Sequence, residues 1–135
     1  WEVHNIRSKY IDREFDKREV APPDDQTAMT IYATHSEYRV LFYDKYRDVY
    51  YRIAYPGIDV TPQDDVMMLG EFRRIFSVMI IDKDFNFIGE TLMPEKIYNI
   101  HMFFVNEEGL WFSTTNVENH NFEEDAINFE LFELK

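Results

Sequence analysis

Two stretches of the chain are variations on one pattern. Val40-Leu41-Phe42-Tyr43-Asp44-Lys45 leads into Val49-Tyr50-Tyr51-Arg52-Ile53, and Val78-Met79-Ile80-Ile81-Asp82-Lys83 leads into Phe87-Ile88-Gly89-Glu90-Thr91. Each sets an Asp-Lys turn between two apolar extended runs, which is how a β-hairpin reads in sequence. A repeated hairpin constrains the fold, because each unit has to stack on a neighbour to bury its faces. It points to an architecture and to no particular reaction.

Strands are expected over residues 38 to 43, 49 to 55, 74 to 81 and 86 to 93, and again over 100 to 105, 110 to 115 and 127 to 134. In the first and third of these both alternating faces are apolar, so each is expected to be covered on both sides. Gly89 and Glu90 in the fourth suit an outer or edge strand, where a charge discourages stray pairing. Residues 1 to 11 carry apolar side chains at intervals near two and read as a half-exposed strand. Residues 12 to 27, with Pro22-Pro23 and Asp24-Asp25, read as an exposed connection. Residues 28 to 33 fit either a short helix capped by Asp25 or another strand. Pro56-Gly57 opens a polar excursion through Thr61-Pro62-Gln63-Asp64-Asp65 that is expected to cross one end of the sheet. No long amphipathic helix is legible, and the class is all-β.

The division is an N-terminal strand and exposed connection over 1 to 37, then two blade-like antiparallel units over 38 to 93 and 100 to 135 that together form one domain. The first unit has four strands and the second three. That spacing fits about two consecutive blades of a β-propeller, with a β-sandwich as the alternative. At 135 residues one core is expected. It rests on aromatics, 12 Phe, 9 Tyr and 2 Trp, which favour sheets.

Charge excludes more than it suggests. A net charge of −12 argues against nucleic acid, whose phosphates call for a surplus of Lys and Arg, and against an anionic membrane surface. The chain has no cysteine, so neither a disulfide framework nor a thiolate site is available. Its longest apolar run falls far short of the roughly 18 to 20 residues a spanning helix needs, and the piece reads as soluble. It opens on Trp1 without a signal segment, which reads as a fragment or a processed chain with any signal upstream.

Candidate sites are few, and each has a plain alternative. Asp44-Lys45 and Asp82-Lys83 recur at one hairpin position, where Asp accepts hydrogen bonds from amides two residues on; Asn106 repeats the device with a neutral side chain. Tyr50, Arg52 and Tyr46 could form an aromatic platform with a guanidinium, suited to a sugar or peptide. Alternation sends Tyr50 and Arg52 to one face and Tyr51 to the other. The plainer reading packs the tyrosines between blades and pairs Arg52 with a carboxylate. The acidic loop from Asn116 to Asp125 offers Asn121, Glu123 and Asp125 as oxygen ligands for Ca²⁺, but without the EF-hand pattern, and a solvated loop is the plainer reading. His4, His35, His101 and His120 lack metal spacing, and Ser8, Ser36, Ser77 and Ser113 lie outside any GxSxG elbow. No catalytic residue is assigned and no cofactor is expected.

Ser8-Lys9-Tyr10-Ile11, Tyr43-Asp44-Lys45-Tyr46-Arg47 with Val49-Tyr50-Tyr51-Arg52, Phe76-Ser77-Val78-Met79-Ile80-Ile81-Asp82 with Ile88-Gly89-Glu90, and Glu108-Gly109-Leu110-Trp111 follow one another in an order and spacing that span most of the chain. In these residues the chain resembles the C-terminal part of a family of uncharacterised TolB-like six-bladed β-propeller proteins of Bacteroides-type bacteria. The resemblance implies a secreted, often lipid-anchored protein at the periplasm or cell surface, bound to the membrane only through an upstream anchor. It implies no catalytic residue. A whole propeller needs at least about twice this length.

The reading that follows is a non-catalytic binding or scaffold module of an exported propeller, with an unknown protein or glycan ligand. The alternative is an enzyme, a hydrolase or lyase acting on a glycan, with its site in the central channel and mostly outside this stretch. Two blades cut from a ring would also bare strand edges. The expectation is self-association through those edges, or residues 1 to 11 folding back as a substitute strand.

Overall fold

The computed structural model describes residues 3–11 and 20–134. Helix α1 (Asp25–Thr34) precedes β1 (Glu37–Asp44) and β2 (Val49–Tyr55); α2 (Val66–Glu71) then leads to β3 (Ser77–Asp82), β4 (Phe87–Leu92), β5 (Asn99–Val105), β6 (Leu110–Ser113) and β7 (Phe129–Phe132). The strands form two antiparallel meanders, here sheet A, in the order β1-β2-β3-β4, and sheet B, in the order β5-β6-β7. The fold is all-β, with two short helices among the described residues. Neither helix is long and apolar enough to cross a membrane, nor is any other among the described residues.

The three hairpin turns are built as the sequence implies. Asp44 accepts from the amides of Tyr46 (2.9 Å) and Arg47 (3.3 Å), and Asp82 accepts from those of Asp84 (2.9 Å) and Asn86 (2.8 Å). Asn106 Oδ1 accepts from the amides of Glu108 (2.9 Å) and Gly109 (3.1 Å) and from the Trp111 indole N–H (3.0 Å). A short polar side chain thus satisfies the donors a tight turn leaves over. Arg47 then ties two turns together, giving Nη1 to Asp44 (3.0 Å) and the Asn106 carbonyl (3.0 Å) and Nη2 to the Glu107 carbonyl (2.8 Å).

Alternation decides which side chains meet between the sheets. Val49, Tyr51, Ile53 and Val78 of sheet A, with Phe76 and Met93, form one core with Tyr98, Ile100, Leu110 and Phe112 on the sheet B side. Phe112, fully buried, is central; its ring lies 5.3 Å from Phe76, 5.5 Å from Phe103, 6.1 Å from Phe132 and 6.2 Å from Tyr98. Burial pushes the Tyr51 hydroxyl up to about 12, with the Asp44 charge adding to it. Gly109 is needed for β7 to close against β6, since a Cβ there would sit 2.5 Å from the Phe132 carbonyl oxygen.

Several expectations are corrected. β1 is an edge strand, with Val40, Leu41 and Tyr43 all exposed; the central strand β3 is covered on both faces, while β2 is buried on its core face and half-buried at Tyr50 and Arg52 on the other. Residues 74 to 76 precede β3 rather than belonging to it. No strand forms over residues 3–11, because the amides of Ser8 and Lys9 bond to side chains instead of a backbone ladder; residues 1 and 2, and most of the exposed connection, lie outside the described residues. The open choice at residues 28 to 33 falls to a helix, whose N-cap is Asp24, accepting from Thr27 N at 2.7 Å. α2 is unheralded in the sequence reading, and its cap is Asp65, which accepts from the amides of Met67 and Met68.

One end of the stack is tied by charge. Arg74 Nε donates to both oxygens of Glu118 (3.1 and 3.0 Å), its Nη2 pairs with Asp64, and Lys96 reaches Glu118 at 3.3 Å. The Arg74 hydrogen bond, helped by the Thr61 amide, holds the Asp64 carboxyl down at about 2. A carboxyl depressed on folding stabilises the fold above its unfolded value near 3.8, and that contribution disappears as pH falls through about 2. Asp64→Asn is therefore expected to lower stability at pH 7 and to match the parent near pH 2. Urea unfolding at the two pH values checks this.

Candidate functional site

The face of sheet A turned away from the core gathers most of the chain's unusual side chains. Alternation along β2 puts Tyr50 and Arg52 there, while Tyr51 points into the core. β1 adds Tyr38 and Leu41, β3 adds Ile81, and the β3–β4 turn adds Phe85. Tyr50, Arg52, Leu41, Ile81 and Phe85, with His4 and Ile6 of the N-terminal segment, line an open cleft of about 350 Å³.

Two features of this cleft are costly. Phe85 has φ 62°, in the left-handed region that bulky side chains rarely adopt. Its ring meets Tyr50, stacked at 5.3 Å and 15°, and His4, tilted at 5.2 Å. Arg52 is the second. Among the described residues it has no carboxylate partner; its guanidinium lies over the Tyr38 ring, 4.5 Å from the centroid, and its buried Nε has no hydrogen-bond partner there either. A cation over a ring face keeps part of its interaction energy, but a buried donor left unmade costs about 1–3 kcal/mol.

Beside the cleft the same face is polar and satisfied. Glu90 of β4 accepts from Ser77 Oγ (2.6 Å), Ser8 Oγ (2.5 Å) and the Lys9 amide (2.6 Å), and the Ser8 amide donates to the Tyr38 hydroxyl (2.8 Å). β4 is an edge strand, as Glu90 suggests, but that carboxylate is occupied in holding the N-terminal segment. Tyr43 extends the row of rings, 5.1 Å from Tyr50, and its hydroxyl is raised by donating to Asp48 at 2.5 Å.

The other candidates fall elsewhere. Tyr46 is exposed at the β1–β2 turn under the Lys45 ammonium, 5.0 Å from its ring, and does not line the cleft. Asn121, Glu123 and Asp125 are exposed on the loop before β7. Among the described residues no three His, Asp or Glu side chains come together as a metal centre requires. That loop takes its shape from Asn116, nearly fully buried, which donates to the Tyr98 (3.2 Å) and Arg73 (3.4 Å) carbonyls and accepts from the Glu118 amide (2.9 Å). The sequence signals for Phe85, Tyr38, Ser8 and Glu90 are weak, since each becomes part of the face only through long-range contacts.

A family model described as a domain of unknown function, DUF4221, matches residues 2–92. The crystal structure of a member of the DUF4221 family from Bacteroides vulgatus, at 1.75 Å resolution, is similar to this chain at 37% sequence identity and a TM-score of 0.73. The similarity covers 80% of this chain and 30% of that one, so the chain spans less than a third of that relative's length. No curated protein matches the chain.

Proposed function

The chain belongs to the DUF4221 family, and on that footing we propose that it is a non-catalytic binding or scaffold module of a larger, exported β-propeller. The two stacked meanders act as consecutive blades, and the greater length of the Bacteroides relative supports that reading. The outer face of sheet B, where Phe104 and Phe129 are exposed and Phe104 stacks on Trp111 at 6.0 Å, suits the next sheet of such a protein. Export to the periplasm or cell surface rests on the resemblance read in the sequence.

One observation carries the binding role: Arg52, whose buried Nε has no hydrogen-bond partner among the described residues, lines a cleft beside the rings of Tyr50 and Phe85. A ligand oxygen there would remove the cost of the bare donor, while Tyr50 and Phe85 offer carbon surface beside it. The sheet's part of the lining, Leu41, Tyr50, Arg52, Ile81 and Phe85, provides rings, aliphatic carbons and one guanidinium, a set suited to a ligand.

Binding to a panel of glycans and peptides tests this, followed by calorimetry on the best ligand. Arg52→Met keeps the side-chain stem and is expected to weaken that ligand at least tenfold, about 1.4 kcal/mol, with the fold intact. Equal affinity in parent and variant would contradict the role given to Arg52. Turnover of a panel member, abolished by a point substitution, would contradict the non-catalytic reading.

A further inference from the structure

We infer that the ligand of the outer face of sheet A is a polypeptide segment, and that residues 4–9 of the chain are its resident occupant. This rests on the binding-module reading above and names the chemistry it recognises.

The manner in which the N-terminal segment is held is the argument. It runs from the Phe85 turn, where His4 meets the ring, past Ile6, which lines the cleft, to Glu90, where Ser8 and Lys9 are fixed. No backbone ladder forms. Instead, side chains standing on the sheet read the backbone: the Tyr38 hydroxyl takes the Ser8 amide and the Glu90 carboxylate takes the Lys9 amide. Such contacts read main-chain amides, whatever side chains flank them. Sequence is read at two places, where Ile6 closes the cleft formed with Leu41, Tyr50, Ile81 and Phe85, and at Glu90, which also accepts the Ser8 hydroxyl.

The resident is lightly held. Among residues 3–9 only Ser8 is buried and only Ile6 is half-buried, so local opening costs little compared with opening the sheet. It also leaves Arg52 Nε without an acceptor among the described residues. A segment from another chain that supplies the same amides and places an oxygen near Arg52 replaces it at a gain, as peptide binding by a preformed face requires.

The test uses the intact chain and a fluorescein-labelled peptide of residues 3–11. A resident tethered in cis competes at an effective concentration on the order of millimolar, so the parent binds the free peptide weakly. Ser8→Pro in the chain removes the resident's amide donor and hydroxyl and leaves the face unchanged. Fluorescence anisotropy is expected to show at least tenfold tighter peptide binding by that variant, and Glu90→Gln added to it is expected to weaken the complex again. On the parent itself, excess unlabelled peptide is expected to raise hydrogen exchange at the chain's own Ser8 and Lys9 amides while leaving those of β2 and β3 unaltered. This second reading holds whether or not Ser8→Pro folds. No peptide binding by a folded Ser8→Pro chain, or unaltered Ser8 and Lys9 exchange under excess peptide, overturns the inference. If a saccharide binds instead and Arg52→Met abolishes it, the peptide inference falls and the binding module stands. If neither class binds, both fall.

Discussion

Phe112→Ala is expected to remove about 3–5 kcal/mol of stability, the usual range for deleting a large ring from a packed core. Domains of this size are stable by about 5–15 kcal/mol in total, so one substitution takes away a large share. The reason lies in where the ring sits. Phe112 belongs to β6, yet it meets Phe76 at the entrance to β3 as well as Phe103, Tyr98 and Phe132 of its own unit. Its loss leaves a cavity that two rigid sheets cannot both close. Urea unfolding followed by Trp fluorescence measures the change; a loss below about 1 kcal/mol, the scale of a conservative core change, would contradict a core shared by the two sheets.

Arg73→Met carries the second large effect, about 3 kcal/mol, the scale of hydrogen bonds to a charged donor together with the acceptors left bare. Arg73 is fully buried. Its guanidinium donates to the carbonyls of Tyr32, Ala33 and His35 at the end of α1 and lies between the rings of Tyr32 (5.5 Å) and Tyr55 (5.0 Å). Helix ends leave carbonyls without partners and carry partial negative charge, so a cation there is doubly suited. Burial works against it, pulling the guanidinium below its ordinary range. The methionine stem fills most of the space but gives nothing to the carbonyls. The melting temperature is expected to fall by roughly 10 °C at this chain length, with loss of α1 helicity. A variant that melts with the parent would show that the helix end does not depend on Arg73.

The physical reach of each signal explains what the sequence revealed. Asp44, Asp82 and Asn106 act on amides within four residues, so the turns are legible, and so are the strands they join. The opposed faces of Tyr51 and Tyr50 follow from the two-residue repeat alone. Edge position is a different matter: Val40, Leu41 and Tyr43 are as apolar as a central strand, and only the strand order leaves them exposed. α2 is too short for helical periodicity to emerge, and its one local signal is the cap at Asp65. In the candidate site, Tyr50 and Arg52 were legible as a pair. The fold completes the site across the chain, with Ser8 bonding to Tyr38 30 residues away and to Glu90 82 residues away, and no local pattern encodes that.

Native-state hydrogen exchange on the parent and on Phe112→Ala tests most directly whether the two meanders are one structure. If they share a core, the best-protected amides of β2 and β3 open with the same free energy as those of β6, and the substitution lowers all of them by the same amount. Protection lost in β5, β6 and β7 while β2 and β3 keep theirs would contradict it.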